Sequence, residues 1–213
     1  MSTKRYGIRR LYRSRTEYVH YNDLCAKDDS QLEVYLHALG LLIKHDLRSV
    51  IDVGCGSAYK LVTYFKGFDT LGIELPVNVE ELRKRYPDRR WQESDFKSGT
   101  AFRADCAICS DVIEHVVDPD DVVRFLKELR VKFLVISTPA RNLVSKRWWR
   151  KGYWGPPRNP AHQREWSFRE FRGYLAPHFQ ILDHRVTNLG QATQMVICAG
   201  HDFGALAPPS GRA

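Results

Sequence analysis

Three short runs in this chain carry side chains whose types and spacing could do chemistry. The first is Asp52-Val53-Gly54-Cys55-Gly56-Ser57, an acid followed by two glycines at alternate positions. Glycines so placed let the chain turn sharply and bring its backbone against a ligand. The second is Asp111-Val112-Ile113-Glu114-His115, which gathers two carboxylates and an imidazole. The third is Asn159-Pro160-Ala161-His162-Gln163-Arg164-Glu165-Trp166, which adds another imidazole. Carboxylates and imidazoles together can exchange a proton near neutral pH or hold an ion such as Mg²⁺ or Mn²⁺. Cys106 and Cys109 lie three apart in an apolar run without a second pair, so they read as packing and not as metal ligands.

These runs need elements to position them. Val50 to Val53 is apolar apart from one acid, as in a strand buried in a parallel sheet. A helix is expected to begin near Ala58, and strand, glycine turn and helix N-terminus together form a nucleotide-cofactor site. A dinucleotide fingerprint needs glycine or alanine at its sixth position, where this chain has Tyr59. An acid does stand where a ribose-binding acid should: Glu74, twenty residues after Gly54, closes the strand-like run from Thr70. The combination points to a nucleoside cofactor.

Strand and helix signals then alternate. Asp28-Asp29-Ser30 offers a cap for an amphipathic helix running from Leu32 to Ile43, laid against the sheet. Further helices are expected over Val77–Arg85, stopped by Pro87, and from Pro119. Another follows Ser167, where Glu170 completes a capping box. Strands are expected over Arg90–Glu93, Asp105–Ser110, Lys132–Ser137, Phe179–Val186 and Gln194–Ala199. Such alternation gives an α/β fold with a mostly parallel sheet and helices on both faces.

Asp52-Val53-Gly54-Cys55-Gly56-Ser57-Ala58 resembles motif I of the class I S-adenosylmethionine-dependent methyltransferases, whose later motifs follow in order up to Pro139. Glu74-Leu75 resembles the ribose-acid position, and Glu93-Ser94-Asp95-Phe96 the segment whose Asp contacts adenine. Cys109 to Val116 resembles the segment beside the methionine moiety. The resemblance implies a Rossmann-like sheet of seven strands, the last antiparallel, and S-adenosyl-L-methionine as cofactor. It implies cofactor contacts from Asp52, Gly54, Cys55, Gly56, Glu74, Leu75, Asp95, Phe96 and Asp111. Ala58 stands where the family often has glycine.

Methyl transfer from a sulfonium is a direct displacement, so the protein must align the acceptor and deal with any hydroxyl proton. Two sub-family resemblances bear on the acceptor. Ser137-Thr138-Pro139-Ala140-Arg141-Asn142 and the run Pro160 to Trp166 resemble sugar and glycan O-methyltransferases. This covers more of the chain and is preferred, with His115 or His162 as base and Glu114 beside them. Asp111, Glu114, His115 and His162 also resemble the metal ligands of the small-RNA 3′-terminal 2′-O-methyltransferases, with Asp in place of the usual Glu. Quinone and natural-product O-methyltransferases share that run, some with magnesium. A non-enzymatic binding subunit is the remaining alternative, opposed by the intact cofactor motifs.

The chain of 213 residues, with a net charge of +8, suits one domain. Within it are expected an N-terminal arm over 1–25 with Tyr18, His20 and Tyr21 near the site, and a substrate lid over 140–166. The tail over 204–213 is expected to be disordered. Lid tryptophans (Trp148, Trp149, Trp154, Trp166) beside arginines suit stacking on sugars or bases, or else a homodimer interface. Basic clusters in arm and lid suit anionic partners such as RNA, or simply a solvated surface. No apolar run is long enough for a membrane span, no leader precedes the arm and the five cysteines suit a reducing compartment, so a cytoplasmic location is expected.

Overall fold

The computed structural model describes residues 4–17, 19, 24–27, 30–98, 102–144 and 153–205. Tyr18, His20, Tyr21, Asp28, Asp29, the run Lys146–Lys151 with Trp148 and Trp149, and residues 206–213 lie outside the described residues. In chain order the elements are α1 (Leu32–Lys44), β1 (Ser49–Val53), α2 (Tyr59–Tyr64), β2 (Asp69–Glu74), α3 (Pro76–Arg85) and β3 (Arg90–Glu93). There follow β4 (Cys106–Ser110), α4 (Pro119–Glu128), β5 (Phe133–Pro139), α5 (Arg141–Val144), α6 (Phe168–Leu175), β6 (Ile181–Asn188) and β7 (Thr193–Ala199).

The strands form one seven-stranded sheet in the order β3-β2-β1-β4-β5-β7-β6. All pairings are parallel except those of β7, which runs antiparallel to β5 and β6. Side chains alternate between two apolar layers, as the two-residue period of a strand requires. Ile51, Val53, Leu134 and Ile136 join Val122, Phe125 and Phe171 on one face. Val50, Phe133 and Val135 join Val34, Ala38, Leu42 and Leu61 on the other. The strand order reverses between β1 and β4, which opens a crevice beyond their carboxyl ends. Among the described residues no helix is long and apolar enough to cross a membrane.

Several boundaries differ from the sequence reading for local reasons. Residue Gln31, in the left-handed region at φ 66°, caps α1 and makes no side-chain cap bond. Strand β4 starts one residue late because the Asp105 carboxylate is turned aside to accept from Arg48 N, Ser49 N and Lys132 Nζ. Strand β5 runs on to Pro139 because β7 pairs with it there, Thr138 opposite Gln194 and Pro139 opposite Thr193. Gly204, assigned to a disordered tail, instead belongs to a 3-10 turn over Phe203–Ala205. The capping box is as expected: Ser167 Oγ accepts from Glu170 N, and Glu170 Oε2 accepts from Ser167 N at 2.8 Å.

Candidate active site

A cavity of about 640 Å³ opens over the crevice between β1 and β4. Its floor is the glycine turn, where Gly54 sits at φ 71° with no room for a side chain. A Cβ there would come within 2.4 Å of Val112 Cγ2, so the turn can pass under the segment after β4 only as glycine. Ala58 adopts the same left-handed conformation at φ 55° and caps α2. That costs an alanine about 1 kcal/mol, offset by burying its methyl against Cys55 and Leu82. Phe96 after β3 (φ 64°) and Asp111 after β4 (φ 53°) are left-handed too, so strained residues rim the cavity.

Of the expected cofactor contacts, Gly54, Cys55, Glu74, Leu75, Asp95, Phe96 and Asp111 line this cavity. Two do not. Asp52 is fully buried beneath the floor, where both its carboxylate oxygens accept from Tyr35 Oη at 3.2 and 3.0 Å. Gly56, at φ 53°, shapes the turn without lining the cavity. Glu74 lies at the end of β2, its carboxylate turned back to accept from Leu75 N. The sequence reading missed Gln31, Tyr35 and Lys60, which also line the cavity. Tyr35 and Lys60 are buried members of ordinary helices, so periodicity reads them as packing.

Five carboxylates border the cavity among the described residues, those of Glu74, Asp95, Asp111, Asp118 and Asp121, against the cations of Lys60 and Lys97. A net acidic cavity in a basic chain favours a cationic ligand. Asp111 is held above the usual carboxylate range by burial, opposed by the hydrogen bond that Ser137 Oγ donates at 2.7 Å.

Behind this wall the structure brings together the two remaining chemical runs. Ligand atoms of Glu114, His115 and His162 lie within 4.8 Å of one another, and the two imidazoles meet edge to face at 4.7 Å between centroids. Asp111 stands apart from this group, on the cavity side. Only His115 of the three lines the cavity. Its Nδ1–H donates to the Ala161 carbonyl at 3.1 Å, which leaves Nε2 as the basic nitrogen. Burial, reinforced by the neighbouring His162, lowers its pKa to about 4. Glu114 is driven well up by burial and by the charge of Asp111; its Oε2 accepts from Thr138 Oγ1 at 3.0 Å.

His162 is oriented from both sides. Its Nδ1–H donates to Glu165 Oε1 at 2.8 Å, and its Nε2 accepts from Asn159 Nδ2 at 2.9 Å. Buried Glu114 Oε1 and Glu165 Oε2 have no hydrogen-bond partner among the described residues. The carboxylate of Glu114, with its orphaned Oε1, and the two imidazoles form a donor set that fits a divalent cation.

The segment carrying His162 is not a loose flap where it is described. Residues 161–166 are buried, and Trp166 is fully enclosed in the core, donating Nε1–H to Tyr6 O. Trp166 therefore has no face for stacking on a ligand, a correction to the sequence reading; Trp154 is 37% exposed.

Residues 24–177 match a family model described as a methyltransferase domain. No curated protein matches the sequence. Among solved structures, a S-adenosylmethionine-dependent methyltransferase from Clostridium acetobutylicum superposes with a TM-score of 0.63 at 12% identity, over 81% of this chain and 93% of that one. The Burkholderia thailandensis 1,6-didemethyltoxoflavin-N1-methyltransferase, bound to S-adenosylhomocysteine, gives 0.59 at 20% identity over 81% and 80%. The methyltransferase domain of a bacterial Hen1, CtHen1, gives 0.58 at 20% identity over 78% and 97%. At these identities the likeness is one of fold.

Proposed function

The chain belongs to the methyltransferase domain family and draws its methyl group from S-adenosylmethionine, and from that premise we propose that it methylates a hydroxyl of a sugar or glycan with the help of a divalent cation. The observation that carries this reading is the buried cluster of Glu114, His115 and His162, which reaches the cavity wall through His115. Those three residues would hold the cation, His162 through the Nε2 that Asn159 Nδ2 would have to release, with Glu165 turning the ring into place. A cation there supplies Lewis acidity that eases loss of the hydroxyl proton. An imidazole held near pKa 4 is a weak base by itself, which favours cation assistance over a lone general base. The same low pKa keeps His115 neutral, as a ligand must be.

The charge of the cavity bears on the acceptor. Carboxylates of Asp118 and Asp121 also line the cavity, paired with Lys4 at 3.6 Å and Arg124 at 3.0 Å, and a lining with more acids than bases favours a neutral sugar over a phosphodiester chain. An acceptor hydroxyl would be received beside His115 and Val116 on the lining, and Glu114 would have to be deprotonated to hold a cation. RNA remains the competing acceptor, because the same four residues resemble the RNA enzymes.

The test is transfer of labelled methyl from S-adenosylmethionine into oligosaccharide and small-RNA pools, each with and without chelator. Labelled saccharide that chelator abolishes, and that Glu114→Gln also loses, is expected. Label in RNA alone overturns the acceptor, and indifference to chelator overturns the cation.

A further inference from the structure

Among the described residues Lys60 is a buried cation without an ion-paired carboxylate. It is 6% exposed on α2, yet it lines the cavity, and among the described residues no carboxylate lies within ion-pairing distance of its Nζ. Its partners are neutral: Nζ donates to the Lys27 carbonyl at 2.8 Å and lies 5.4 Å from the centre of the Tyr35 ring. A carbonyl and an aromatic face orient an ammonium but do not neutralise it, and a buried charge is costly without an opposite one. Across the cavity wall from it stands Asp111, an acid that burial holds above its usual range and that the Lys60 charge pulls back down.

The layout of the cavity says what would occupy this corner. An acid at the end of the second strand accepts ribose hydroxyls, which puts the sugar of the cofactor at Glu74. From there the cavity extends two ways. Toward β3 it is walled by Leu75 and Phe96, an apolar lining for a flat base, beside Asp95 and Lys97, whose charges answer each other at 3.8 Å. Toward α1 and β4 it is walled by Lys60 and Asp111, one charge of each sign. The other end of S-adenosylmethionine is an amino acid, a zwitterion that asks for one of each.

We propose that Lys60 is the residue that binds the α-carboxylate of the cofactor, with Asp111 facing its α-ammonium, and that Lys60 selects S-adenosylmethionine over adenosyl thioethers lacking the carboxylate. The proposal rests on the cofactor and not on the acceptor or the cation, so it stands or falls separately from the sugar reading. Lys60 is a binding and specificity residue, remote from the reacting hydroxyl.

The experiment is calorimetric titration of the full chain with S-adenosylhomocysteine, with its decarboxylated form and with 5′-methylthioadenosine, for wild type, Lys60→Met and Lys60→Arg. A charge-assisted hydrogen bond sets the expected scale: Lys60→Met weakens S-adenosylhomocysteine about 10- to 100-fold and leaves methylthioadenosine unchanged, and Lys60→Arg recovers part of the loss. Equal loss on all three ligands would show that Lys60 merely props the chain at Lys27, and no loss on S-adenosylhomocysteine would exclude the contact. Wild type alone gives a second reading that needs no variant to fold: it should bind the decarboxylated ligand at least tenfold more weakly, and equal binding overturns the assignment. Failure of wild type to bind any adenosyl ligand would count against the cofactor itself.

Discussion

At neutral pH His115 carries a single proton, on the Nδ1 that donates to Ala161 O, and burial keeps a second one off until about pH 4. In the unfolded chain the same imidazole takes that proton near 6.5. Between those values the unfolded state binds more protons than the folded one, so the stability that His115 contributes is complete above about 6.5 and is lost as the pH falls toward 4. Glu114 works in the opposite sense, since a carboxyl whose pKa is raised on folding stabilises the folded state when protonated. The informative measurement is therefore a difference. Denaturation midpoints of wild type and His115→Asn are expected to converge as the pH drops from 7 to 4.5, because the variant lacks the acid-sensitive part. A gap constant with pH would mean that the imidazole is not desolvated as described.

Elements that were legible in sequence share one property: their signals are local. Val50–Val53 and Phe133–Ile136 are apolar runs that strands need at any depth, and Pro119 with Asp120 and Asp121 announces α4 through geometry and the helix dipole. The Ser167–Glu170 capping box belongs to this class and allows a contained test. Ser167→Ala removes the hydroxyl that accepts from Glu170 N, while Glu170 keeps its bonds to Arg9 N and Arg141. A lost cap costs about 1 kcal/mol, or roughly 2–4 °C in Tm at this size. Calorimetry should find that drop with methyl transfer unchanged; a larger loss would mean that α6 positions the site.

Illegible features depend on partners far along the chain. The run Ala161–Trp166 reads as a polar surface, yet it is buried, held by partners far along the chain. Arg164 donates to the Val116 and Val117 carbonyls, and Glu165 N is taken by Tyr12 Oη. Arg141, fully buried, answers Glu170 and lies 4.4 Å from the centre of the Tyr12 ring. Asp111, Glu114, His115 and His162 were legible as a set by type, but only the fold separates Asp111, on the cofactor side, from the cluster of the other three.

Seen as a whole, the chain uses its N-terminal arm to tie two functions to separate anchors. Residues 24–27 fasten the cofactor side: Ser57 Oγ donates to Ala26 O at 2.6 Å and Lys60 Nζ to Lys27 O at 2.8 Å. Residues 4–17 fasten the His162 segment. Arg13 N donates to Trp154 O, Arg15 N to Gln163 O, and Gln163 Nε2 back to Glu17 O, all within 2.9 Å. Gly155, at φ 71°, lets Arg13 O approach a backbone that any Cβ would keep away. Removing residues 1–17 should therefore separate the two. Affinity for S-adenosylhomocysteine is expected to persist, because its anchor begins at residue 24. Transfer is expected to fall roughly 100-fold, the scale of a catalytic group displaced by about 1 Å. Amide exchange over 161–166 should rise with it, and Tm should drop as Ile8, Tyr6 and Tyr12 leave the core. Parallel loss of cofactor affinity and transfer would show instead that the arm acts as one clasp over a single site.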